Sequence, residues 1–194
     1  MTNETFNFSP RVELILANLK TVRNIKHALD EDGQENFKKF LEHINNELNK
    51  RLPELQSWKY EICTNKYMGI YYYLGDDWKV IKDDYICIFV ELAYNSEILD
   101  DDDPWVGLYV PQPEDWKQSK KFTEELNKKL PKGFIKYWEK PDSDALLWQW
   151  VKFEDYEKEG YFDTSGFVDK VEELVSKLVK IKDIINSSIK KVRR

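Results

Sequence analysis

Acidic side chains beside extended segments are the first residues of this 194-residue chain that could do chemistry. Glu91 interrupts an otherwise apolar run, Tyr85-Ile-Cys-Ile-Phe-Val-Glu-Leu-Ala93. Metal-assisted cleavage of a phosphodiester needs acids to hold the cation and a nearby lysine to position or activate water. A compact arrangement sets one Asp upstream and a second acid two residues before the Lys, on adjacent strand ends. Asp142 supplies a start, but the residue two before Lys152 is Trp150. Glu91 is followed two residues on by Ala93, and Asp77-Trp78-Lys79 has the spacing but lies at a turn without a clear upstream Asp. No complete site emerges, so catalytic residues are expected to be none. The run Asp100, Asp101, Asp102 and Asp103 raises a calcium hypothesis. It lacks the alternating ligand spacing and the glycine turn of an EF-hand loop. A solvated acidic loop is the preferred reading, and a metal or basic-partner site the alternative.

Trp148 and Trp150 offer a different chemistry, since alternate positions of a strand face the same way and two indoles there could stack a base or a sugar. The same pattern serves equally as core or as a cross-strand ladder. With Glu91 they form the expected binding set. His27 and His43 sit on predicted helices with no nucleophile at useful spacing. Cys63 and Cys87, each within a predicted strand, read as small buried hydrophobes, and no Cys-x-x-Cys suggests a metal. There is no Gly-x-Ser-x-Gly elbow and no Walker loop. The acid pairs Glu114/Asp115 and Glu154/Asp155 suit a helix start and a solvated loop. No cofactor is expected.

The elements that would position these groups follow from periodicity. Ser9-Pro10 is a helix start, and Val12, Ile15, Leu19, Val22 and Leu29 recur at helical spacing over 10–30. A second helix over 34–51 has the stripe Phe37, Phe40, Leu41, Ile44 and Leu48 and stops at Pro53. From Trp58 the period becomes 2, giving strands Trp58–Cys63, Tyr67–Leu74, Trp78–Ile81, Tyr85–Ala93 and Trp105–Val110 within 58–110. Gly75-Asp76-Asp77 reads as a hairpin turn, and the short links imply antiparallel neighbours. A helix over 114–130 precedes two more strands, Phe134–Lys140 and Ala145–Phe153, within 134–153. Phe153–Phe162 reads as irregular. Thr164-Ser165 caps a long last helix over 165–192 with a near-heptad seam. The fold class is α+β: a largely antiparallel sheet of about five to seven strands, two N-terminal helices, one inserted helix and a long C-terminal helix, in one domain over 1–194. Tyr85–Ala93, apolar on both faces, is the expected central strand.

Composition bounds the function. Lys and Arg total 30 against 36 Asp and Glu, a formal net charge of −6. That balance lacks the broad basic footprint of a nucleic-acid binder, so nucleic acid is not expected to bind across the whole surface. No run approaches the roughly 18 apolar residues of a membrane span. The opening residues carry neither a basic nor an apolar signal region, so a cytoplasmic protein without membrane contact is expected. Protein is the expected partner. The first and last helices, both with near-heptad seams, suit packing on each other or across a homodimer.

The strand Ile88-Phe89-Val90-Glu91-Leu92, the strand Trp105-Val106-Gly107-Leu108, the helix ending at Leu130, the strand Leu147-Trp148-Gln149-Trp150 and Gly160-Tyr161-Phe162-Asp163 before a long amphipathic helix are carried by about half the chain, from Ile88 to Ile189. In these features it resembles the C-terminal accessory portion of a group of bacterial PD-(D/E)xK nuclease-superfamily proteins. The features are packing features, and the catalytic motif is absent. The resemblance implies a freestanding accessory domain of bacterial or phage origin, related to nuclease-based defence or anti-defence, with no catalytic residue to carry over. The leading expectation is a non-enzymatic binding or interaction protein. A degenerate or unusual metal-dependent nuclease and a small-ligand or nucleotide sensor are the alternatives.

Overall fold

The stripe Leu41, Ile44 and Leu48 has no solvent exposure at all, and it lies along α1, Gly33–Arg51. Burying each such side chain contributes roughly 1.5–3 kcal/mol, which is what holds a polar helix to a sheet. The computed structural model describes residues 33–64, 67–81, 84–94, 104–112, 114–141, 145–158 and 161–193. The helix expected over 10–30, His27, the Asp100–Asp103 loop and Asp142 lie outside the described residues.

Nine strands are described: β1 Lys59–Thr64, β2 Tyr67–Tyr73, β3 Lys79–Ile81, β4 Asp84–Tyr85, β5 Cys87–Tyr94, β6 Trp105–Tyr109, β7 Ala145–Trp150, β8 Glu157–Lys158 and β9 Tyr161–Phe162. Five form one antiparallel sheet in the order β1-β2-β5-β6-β7. The apolar run read as the central strand is indeed its middle member. The strand itself starts at Cys87, because Ile86 breaks away and donates its N–H to the Trp78 carbonyl at 2.9 Å.

Alternation gives this sheet two different faces. Ile70, Tyr72, Ile88, Val90, Val106, Leu108 and Leu147 share one buried cluster with the helix side chains. α1 packs on β1 and β2, where the Tyr72 hydroxyl donates to Asn45 Oδ1 at 2.8 Å. The helix α3, Thr164–Lys180, packs on β5 and β6. The other face carries Tyr71, Phe89, Glu91, Trp105, Gly107, Trp148 and Trp150.

Several expectations are corrected. Gly75-Asp76-Asp77 is a 3-10 turn and not the link of a β2–β3 hairpin. β5 lies beside β2, while β3 and β4 pair separately. The cause is Trp78, which is drawn wholly into the core against Trp58, ring centroids 5.0 Å apart, with its indole N–H on Asn186 Oδ1 at 2.6 Å. Phe134–Lys140 is not a strand. Gly133 has φ 86°, and Lys136, Tyr137 and Trp138 each donate to the carbonyl three residues back. Ile135 and Tyr137 are exposed, so the segment offers no alternating buried face for a sheet to hold.

The inserted helix, α2, is shorter than expected, Ser119–Lys129, because residues 114–118 form turns that bury Trp116. The long last helix is two. α3 stops at Lys180, and after Ile181 (φ −98°, ψ 9°) α4 runs Lys182–Val192. The Ile181 N–H bonds back three residues to Leu178, a tightened turn that redirects the chain. It lets Ile185, Ile189 and Val192 reach the same core as Leu174 and Leu178, with α4 against α2. The apolar seam of the last helix, expected to pack on the first helix or across a homodimer, is buried within the subunit along α3 and α4. Asp163, rather than Thr164 or Ser165, caps α3, its Oδ1 accepting from the Gly166 N–H at 3.0 Å. The last sheet strand ends at Trp150, and the stretch read as irregular contains the β8–β9 pair. Among the described residues no helix is long and apolar enough to cross a membrane.

Candidate functional site

Three tryptophans converge on the second face of the sheet. Register does this: β5–β6 pairing sets Glu91 opposite Trp105, and β6–β7 pairing sets Trp105 opposite Trp150 and Gly107 opposite Trp148. The Trp148 and Trp150 rings are 5.0 Å apart at 88°, and Trp105 and Trp148 are 5.6 Å apart at 90°. Trp105 and Trp150 close the set at 6.2 Å and 39°. Near-perpendicular contacts let the positive edge of one indole meet the negative face of the next. All three rings are half-buried.

Glycine makes the convergence possible. A Cβ on Gly107 would stand 2.6 Å from the Leu147 carbonyl oxygen, 2.7 Å from Trp148 Cβ and 2.8 Å from Phe89 Cζ. Phe89 lies across this bare backbone and abuts Trp105, centroids 4.6 Å apart. Gly69 plays the same part on the other side of β5, at a β-bulge. A Cβ there would meet the Val90 carbonyl oxygen at 2.7 Å. The Trp148 indole N–H is taken by the Lys140 carbonyl at 2.9 Å, and the Glu139 N–H bonds the Trp148 carbonyl at 2.9 Å. The 138–140 segment thereby fixes the outer edge of β7.

Glu91 is 6 % exposed. The Tyr71 hydroxyl points to its Oε2 at 3.4 Å. Burial first, and then the negative charge of Glu91, push the Tyr71 phenol far above its usual range, so it stays a neutral donor. Trp148, Trp150 and Glu91, the expected binding set, therefore do share one face. Tyr71, Phe89, Trp105 and the two glycines complete it. The alternation Trp105-Val-Gly-Leu-Tyr109 was the available signal for Trp105, but only the strand register shows which tryptophans it meets.

The other groups considered for chemistry are dispersed. Asp77 is exposed in the 3-10 turn. Lys152 is exposed and pairs with Glu154 at 3.4 Å. Glu114, Asp115 and His43 are exposed. Cys87 is buried and Cys63 half-buried, both as free thiols. Among the described residues no three His, Cys, Asp or Glu side chains come together as a metal site. No family model matches the chain, and no curated protein or solved structure is significantly similar to it.

Proposed function

We propose that this chain is a non-enzymatic interaction protein that receives a cationic group of a protein partner at the corner formed by Trp105, Trp148 and Trp150. One observation carries the reading: three half-buried indoles pack together on one face of the sheet, two pairs of them within 2° of perpendicular. Indole faces attract cations, and Trp is the strongest of the aromatic side chains in this role. Tryptophan is also the residue that most often dominates the energy of a protein interface. A backbone held by Gly107 and by the 138–140 segment keeps the rings in place before a ligand arrives, which reduces the ordering cost of binding.

The test is an NMR titration of the indole N–H signals with tetramethylammonium, with AMP and glucose in parallel. A ring contributes about 1 kcal/mol at such a site, so a bare cation should saturate on the order of 10 mM. Shifts are expected at Trp105, Trp148 and Trp150 and not at the core residues Trp58 and Trp78, and Trp150→Ala should abolish them. Saturable shifts of the same three signals with AMP or glucose and none with the cation would replace this reading by a stacking site for a base or a sugar.

A further inference from the structure

Positive charge is strongly segregated in this chain. Residues 117–140 hold eight lysines against three glutamates, and residues 177–194 hold five lysines and two arginines against one aspartate. Both stretches lie in a protein whose formal net charge is −6. The fold brings them together, because α2 and α4 pack side by side. At their seam Glu125, 7 % exposed, is held by Lys191 at 2.6 Å and by Lys128 at 3.2 Å, while Lys129 donates to the Ser187 hydroxyl at 3.0 Å. One carboxylate thus sits beneath two ammonium groups. Lys120, Lys121 and Lys190, on these two helices, and Lys117, in the turn before α2, are exposed and form no ion pair with another described residue.

The residue types choose the partner. Cores of protein–protein interfaces are depleted of lysine and built on apolar or aromatic anchors. Among the described residues the exposed large hydrophobic side chains are Tyr60, Ile135 and Tyr137, and none lies on α2 or α4. A phosphate backbone needs no such anchor. It binds to positioned cations, releases condensed counterions and is indifferent to base sequence. Lysine serves it as a point charge without the bidentate fork by which arginine reads guanine. We infer that the α2–α4 face is a docking surface for the phosphate backbone of a nucleic acid, bound without sequence preference. This surface is separate from the tryptophan corner, and neither reading rests on the other. The acidic remainder of the chain confines binding to this one face.

Fluorescence anisotropy of a labelled 20-base-pair DNA duplex, titrated with the full chain from 50 to 200 mM KCl, tests it. Binding should be micromolar at the lowest salt and weaken steeply, with a slope of log K against log [KCl] of about −0.9 for each phosphate neutralised. The triple variant Lys120→Gln, Lys121→Gln, Lys190→Gln should lose at least tenfold in affinity and flatten that slope by about 2 to 3. The control Lys38→Gln, an exposed lysine on α1, should change neither. Circular dichroism melts of both variants should match the parent, as expected for exposed substitutions. No binding at 50 mM KCl overturns the proposal. So does an equal loss in the control. Displacement of the duplex by poly-L-glutamate at equal charge concentration overturns it too, by showing a surface for acidic protein.

Discussion

Replacing Gly107 by alanine should cost far more than the one methyl group suggests. The added Cβ would lie 2.6 Å from a backbone oxygen, 2.7 Å from Trp148 Cβ and 2.8 Å from Phe89 Cζ. Ordinary carbon contacts begin near 3.5 Å, so each neighbour must retreat by most of an ångström. Phe89 can tilt, but Leu147 O and Trp148 Cβ belong to the paired strand β7 and move only if the ladder opens. Overpacking of this kind costs about 1–3 kcal/mol, and two rigid neighbours place Gly107→Ala at the upper end, about 2–3 kcal/mol. For a chain of this length that corresponds to a loss in Tm of roughly 4–12 °C. Urea denaturation followed by tryptophan fluorescence should show a lower midpoint at unchanged slope. Gly133→Ala is the reference. Its φ is 86° with nothing within 4 Å of the added carbon, so only the left-handed backbone is penalised, at about 1–2 kcal/mol. If Gly107→Ala lies within about 0.5 kcal/mol of the parent, or if Gly133→Ala is the more damaging, the tryptophan face does not depend on bare backbone at Gly107.

Two further outcomes follow from single contacts. Trp78→Phe keeps a ring in the core but leaves Asn186 Oδ1 without its 2.6 Å donor. It should lower stability by about 1–3 kcal/mol, and an unchanged urea midpoint would show the bond to be idle. Glu173 accepts hydrogen bonds from the Tyr137 hydroxyl at 2.7 Å and from Lys170 at 2.9 Å. These hold its carboxyl down at about 2, against an ordinary 4.5. Because the folded value is depressed, the resulting stabilisation is complete above about pH 4.5 and is lost as the pH falls towards 2. A carbon-detected titration of Glu173 in Tyr137→Phe should move its midpoint up towards the ordinary value, and a midpoint that stays put would remove the hydroxyl as the cause.

Local pattern was enough for the parts of this protein whose side chains face one way at a regular interval. The stripe Leu41, Ile44 and Leu48 specifies α1, and alternation in Ile86 to Leu92 specifies a strand that only a two-sided sheet can bury. The pairing of Trp148 with Trp150 on one face followed from the same period of two. What tertiary structure alone decided was how those periods meet. Trp105 joins the two later tryptophans because β6 lies between β5 and β7 in a register set by many backbone bonds at once, none visible in a short window. Phe134–Lys140 has a strand's composition but no second surface to bury it, so turn bonds win. The 165–192 repeat reads as one helix, yet the core and α2 are both satisfied only if the chain turns at Ile181. Lys128 of α2 and Lys191 of α4, which meet at Glu125, are 63 residues apart along the chain. Charge counted over the whole sequence averaged that face away, and packing restored it.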